Sequence, residues 1–129
     1  MSLYNNSESP LSVKSEAFSG RIVKMVQFLH KEKDKCLGSI YNQVLRSGTS
    51  VSANIGESQF AQSPADFVTK LHIALKEANE TRKWLNILKE ANCLTTFQFD
   101  SMIADLNEII AMLVSSLNTS KRNQQIIVK

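Results

Sequence analysis

Apolar residues recur along most of the chain at steps of three and four, the spacing of helices that bury one face. Phe18, Ile22, Met25 and Leu29 form the first seam and predict a helix from about Ser15 to about Lys31. Leu37, Ile40, Val44, Val51 and Ile55 form the second, in a helix that starts near Lys33–Cys36 and runs to about Phe60. Phe67, Leu71, Ala74, Ala78, Leu85 and Leu88 form the third, ending near Asn92, and Phe99, Ile103, Leu106, Ile110, Leu113 and Leu117 form an unbroken heptad seam in the fourth. The last two helices carry start signals. Ser63 is a capping residue, Pro64 suits the first helical position and Asp66 faces the positive end of the dipole, while Thr95 and Gln98 make a capping box.

Four amphipathic helices with short connections predict an all-α fold, an antiparallel up-down-up-down four-helix bundle over residues 15–120. The polar stretch 1–14 is expected to be a disordered N-terminal tail, and 121–129 a C-terminal tail. Gly 4 and Pro 2 are few, and no β-branched alternation competes with the helical reading. No apolar run approaches the roughly 20 residues of a membrane span. Met1–Asn6 lacks the basic-then-apolar pattern of a secretory signal, so a cytoplasmic location is expected, with Cys36 and Cys93 as free, buried apolar residues.

The stretch Arg46–Glu57 is anomalous. It lies inside the second helix yet is rich in Ser, Thr, Asn and Gly, poor interior helix formers. Gly48 makes sense where another helix crosses at short distance, and Ser47 fills the same seam. Ser39, Gln43, Arg46, Ser50, Ala53 and Glu57, with Asn54 at the edge, form a second stripe away from Val44 and Val51. In the third helix Ile73, Glu77, Glu80, Trp84 and Ile87 do the same. Helices two and three close as a hairpin near Gln62, so Arg46 comes level with Glu77, and an ion pair to Glu77 or Glu80 is expected. These residues are read as a structural network or subunit interface; the alternative is two exposed faces with unrelated charges.

Catalytic chemistry finds little support. Ser47 and Ser50 lack a nucleophile-elbow context, Gly48-Thr49-Ser50 lacks phosphate-loop spacing, and His30 and His72 stand alone. The Glu-x-x-His pairs of a di-iron bundle are absent from the sequence. The expectation is a non-enzyme without cofactor, metal or small-molecule substrate. Net charge is +3, and the excess lies before Phe99. Lys24, Lys31 and Lys35 are read as a basic stripe on the first helix, flanked by Arg21; Arg82 and Lys83 form a second cluster. These are the candidate nucleic-acid contacts, although aromatics are not interleaved with the lysines in sequence.

The run Gln43–Glu57, with Ser63–Leu85, resembles the signature of a bacterial family of small four-helix-bundle proteins encoded within intervening sequences of 23S ribosomal RNA genes. The accessory protein of diversity-generating retroelements is a relative. The resemblance implies a homo-oligomer, commonly a pentamer, whose partners in the retroelement relative are nucleic acid and a reverse transcriptase. Arg46, Ser47, Ser50, Asn54, Glu57, Glu77, Glu80 and Trp84 occupy the signature positions, and the family assigns none of them a catalytic role. The charge here is lower than in strongly basic relatives. Contact with RNA or a ribonucleoprotein is the leading expectation, and a protein–protein assembly scaffold is the alternative.

Overall fold

The structure is a computed structural model that describes residues 9–128, with side chains described to residue 123. Helix α1 spans Pro10–Glu32 and so begins within the expected tail. Ser9 Oγ accepts the Ser12 N–H at 3.1 Å, Pro10 occupies the first turn, and Leu11 and Ser15 are already buried. The rest of that tail, 1–8, lies outside the described residues. A short 3₁₀ turn, Lys35–Leu37, reverses the chain, with Asp34 accepting the Cys36 N–H at 3.0 Å. Helix α2 spans Gly38–Ser58, α3 Pro64–Glu90 and α4 Thr96–Val128.

The capping signals act as the sequence predicts. Ser63 Oγ accepts the Asp66 N–H at 3.0 Å, and the Asp66 carboxylate accepts the Gln62 N–H at 3.1 Å. Thr95 and Gln98 exchange reciprocal bonds of 2.9 and 3.1 Å. Helix α3 ends with Asn92 in the left-handed region at φ 61. The Cys93 N–H returns to Leu88 O at 2.9 Å and the Asn92 N–H to Lys89 O at 3.0 Å, a Schellman termination. Helix α4 does not stop at the expected boundary of residue 120: the sequence holds neither Gly nor Pro after Pro64, and the polar residues there continue the helix.

Helix α2 packs against α1 and α3, and α4 closes the ring against α3 and, most thinly, α1. The core gathers Phe18, Ile22, Leu29, Tyr41, Val44, Ile55, Leu71, Leu85, Leu88, Leu106, Ile109 and Leu113. Two seams are rotated from expectation. In α1, Val26 rather than Met25 is buried, and in α4 the central positions are Met102, Leu106, Ile109 and Leu113, with Ile103, Ile110 and Leu117 half-buried on a flank. Both helices are apolar over a broad arc, and spacing alone does not say which edge of it points inward.

At Gly48, α1 and α2 approach closely. Ser19 Oγ donates to Gly48 O at 3.0 Å and lies 2.6 Å from Ser52 Oγ. Ser47 is fully buried on the other flank, its hydroxyl 2.9 Å from that of Thr81 on α3.

Candidate functional site

Arg46 is the hub of the outer α2–α3 face. Its Nη1 donates to Glu77 Oε1 and Oε2 at 3.2 and 3.4 Å, its Nη2 to Glu80 Oε2, and its Nε to Gln43 Oε1 at 3.1 Å. Trp84 Nε1, one turn beyond Glu80, donates to the same carboxylate at 2.9 Å. That indole N–H, with Arg46, holds the Glu80 carboxyl below the usual carboxylate range. The two acids share one guanidinium fork, as the hairpin register predicts.

The other signature residues stand apart from this network. Ser47 belongs to the core pair with Thr81. Ser50 Oγ donates back to Arg46 O at 2.7 Å and Asn54 Nδ2 to Ser50 O at 2.8 Å, both within α2. Glu57 pairs with Lys70 at 2.9 Å, nearer the α2–α3 turn. Four of the signature residues, Arg46, Glu77, Glu80 and Trp84, are thus brought together, flanked on α3 by exposed Ile73 and Ile87.

The basic residues divide in two. Arg21 pairs with Asp105 at 2.5 Å and donates to Ser101 Oγ at 2.8 Å, and Arg82 donates to Asn107 Oδ1. Both therefore reach onto α4 from its two neighbours. Lys24, Lys31, Lys35 and Lys83 are exposed. Lys35 is not on the α1 stripe, because α1 ends at Glu32 and the backbone is extended at Lys33 before the 3₁₀ turn.

A groove of about 320 Å³ opens along the thin α1–α4 seam. Met25 and Met102 line it together with Phe28, Phe97, Arg21 and Lys24. The two phenylalanines were not anticipated as site residues. Their signal is that both lie off the core seams: Phe28 is 42% exposed and Phe97 82%. Contrary to expectation, Phe28 is interleaved with Lys24 and Lys31 along α1, and the fold adds Phe97 from α4 beside Lys24.

Cys93 is buried, but Cys36 is exposed on the 3₁₀ turn, contrary to expectation. The neighbouring Asp34 carboxylate, through a side-chain hydrogen bond, pushes the Cys36 thiol up and away from reactive thiolate character. His30 lies 3.1 Å from Asn42 Oδ1 and edge-on to Tyr41. Among the described residues no group of three His, Cys, Asp or Glu could hold a metal ion, and no helix is long and apolar enough to cross a membrane.

Comparison with known proteins places these features in a family. A crystal structure from Bacteroides thetaiotaomicron, described as a protein of unknown function from the S23 ribosomal protein family, is similar at a TM-score of 0.79 and 45% identity, over 83% of this chain and 97% of that one. No curated protein matches. The model of the 23S rRNA-intervening sequence proteins matches residues 10–115, from the start of α1 into the second half of α4. The four-helix bundle described above is therefore that of a relative, and the chain belongs to the 23S rRNA-intervening sequence protein family.

Proposed function

We propose that the chain is a non-enzymatic, cytoplasmic protein that self-associates and binds RNA or a ribonucleoprotein through its basic faces. The observation that carries this reading is the state of its lysines. Lys24, Lys31, Lys35 and Lys83 are exposed and have no carboxylate within ion-pair distance among the described residues. Cations left free in this way can release counterions from phosphates, and an oligomer would repeat the patch around itself. The family's link to 23S ribosomal RNA genes agrees with an RNA partner. The test is retention on RNA as a function of salt: affinity should fall as salt rises, and no binding at low salt rejects the reading.

Self-association is assigned to the outer α2–α3 face, where Trp84 is half-buried between exposed Ile73 and Ile87. Aromatic residues with apolar flanks are favoured at interface centres. Sedimentation of the pure protein at tens of micromolar tests it, and a monomer rejects it. The same isoleucines favour a second reading, a protein–protein scaffold that binds no nucleic acid, which the salt titration separates from the first.

A further inference from the structure

We propose that the α1–α4 groove is a stacking site for single-stranded RNA, in which a base lies against Phe28 and Phe97 while Lys24 and Lys31 hold the flanking phosphates. This rests on the RNA reading above and names its site.

Phe28 does not serve the α1 core seam, which runs through Phe18, Ile22, Val26 and Leu29. Phe97, in the first turn of α4, is the more exposed of the two rings. A single exposed apolar residue calls for no explanation. Two aromatic rings from different helices, lining one concavity with cations at its edge, form the combination that single-strand sites use: a π-face for any base and positive charge for the backbone. The floor of Met25 and Met102 is polarizable and adapts to a ring edge. At about 320 Å³ the groove lies at the small end of ligand pockets. It suits one flat ring system better than the successive anchors of a docked helix.

The charges set a direction. Lys24, Phe28 and Lys31 follow one another at steps of four and three, so the lysines bracket the ring, about 10 Å apart along the axis. Arg21 is already neutralised by Asp105 and serves as a fixed edge. Exposed Asp100 follows Phe97 by one turn of α4 and repels phosphate, so the backbone runs along α1. A duplex keeps its bases stacked and unavailable, and an unpaired strand offers them.

The experiment measures binding of the full chain to a labelled oligouridylate of about ten nucleotides and to an RNA duplex of equal length, across a salt series. Phe28→Leu and Phe97→Leu keep apolar volume but remove the π-face, and an unchanged melting temperature shows that the fold is kept. Each is expected to weaken single-strand binding roughly fivefold to a hundredfold with the salt slope unchanged. Lys24→Gln and Lys31→Gln are each expected to lower that slope by about 0.7. If both leucine variants bind like the unaltered chain, or if duplex binds equally well, the groove proposal is overturned while the RNA reading stands. If the unaltered chain binds no RNA at low salt, both fall. If an acidic amphipathic peptide binds instead, and loses affinity at the two leucine variants, the groove belongs to a protein partner and the proposal is overturned.

Discussion

Gly48 faces Ile22 so closely that a methyl group on Gly48 would lie 2.8 Å from Ile22 Cγ1 and 2.9 Å from Cγ2. Both atoms sit next to the stiff, β-branched Cβ of a fully buried side chain, so they have little room to move. Gly48→Ala should gain about 1 kcal/mol of helix propensity and lose about 1–3 kcal/mol to overpacking, for a net destabilisation in urea melts. Ile22→Val keeps both obstructing atoms and should not rescue it. Ile22→Ala removes them, and the double variant should be more stable than the sum of the two losses predicts.

The hydroxyls of Ser47 and Thr81 satisfy each other inside the α2–α3 seam, supported by Val44 O and Glu77 O at 3.4 and 2.8 Å. Removing one partner should cost about 1 kcal/mol or more, because the other hydroxyl stays buried with poorer partners. Thr81→Val combined with Ser47→Ala should cost less than the two separate losses added together. Chemical denaturation of the four proteins of the cycle checks it, and additive losses would mean that the hydroxyls act independently.

Trp84, the only tryptophan, reports on Glu80 directly. The Glu80 carboxyl titrates lower in the folded chain than its ordinary 4.5. Its contribution is therefore fully present above that ordinary value and is lost as pH falls through the folded one. Trp84 fluorescence should change in that acid range and stay flat in Glu80→Gln, whose amide oxygen still accepts the indole N–H but does not titrate. The stability cost of Glu80→Gln should be below about 1 kcal/mol, since the ion pair is partly exposed.

Asn92 holds the positive φ that ends α3. Asn92→Ala should cost about 1–2 kcal/mol, and Asn92→Gly should be neutral or stabilising. Thermal melts of the two variants test this, and equal melts would show that the termination does not depend on backbone conformation at this residue.

Features set by neighbours along the chain were legible in the sequence. The starts of α3 and α4 were readable because their caps are completed within four residues. The Arg46–Glu77 pairing was readable because one tight turn sets the register of the α2–α3 hairpin. Ser9-Pro10 carries the same start signal as Ser63-Pro64, but its polar surroundings disguised it as a tail. Arg21, Arg82 and Phe97 were opaque for a different reason. Their partners come from how α4 closes the ring, a long-range choice that no local pattern encodes.

The thin α1–α4 seam also bears on the order of assembly. Every extensive packing surface joins helices adjacent in the chain, so loop closure for each is inexpensive and local. During synthesis α1, α2 and α3 can settle against one another before the ribosome delivers Thr96. Helix α4 is then expected to dock last, against a surface already formed, which would make the α1–α4 groove the final part of the bundle to take shape.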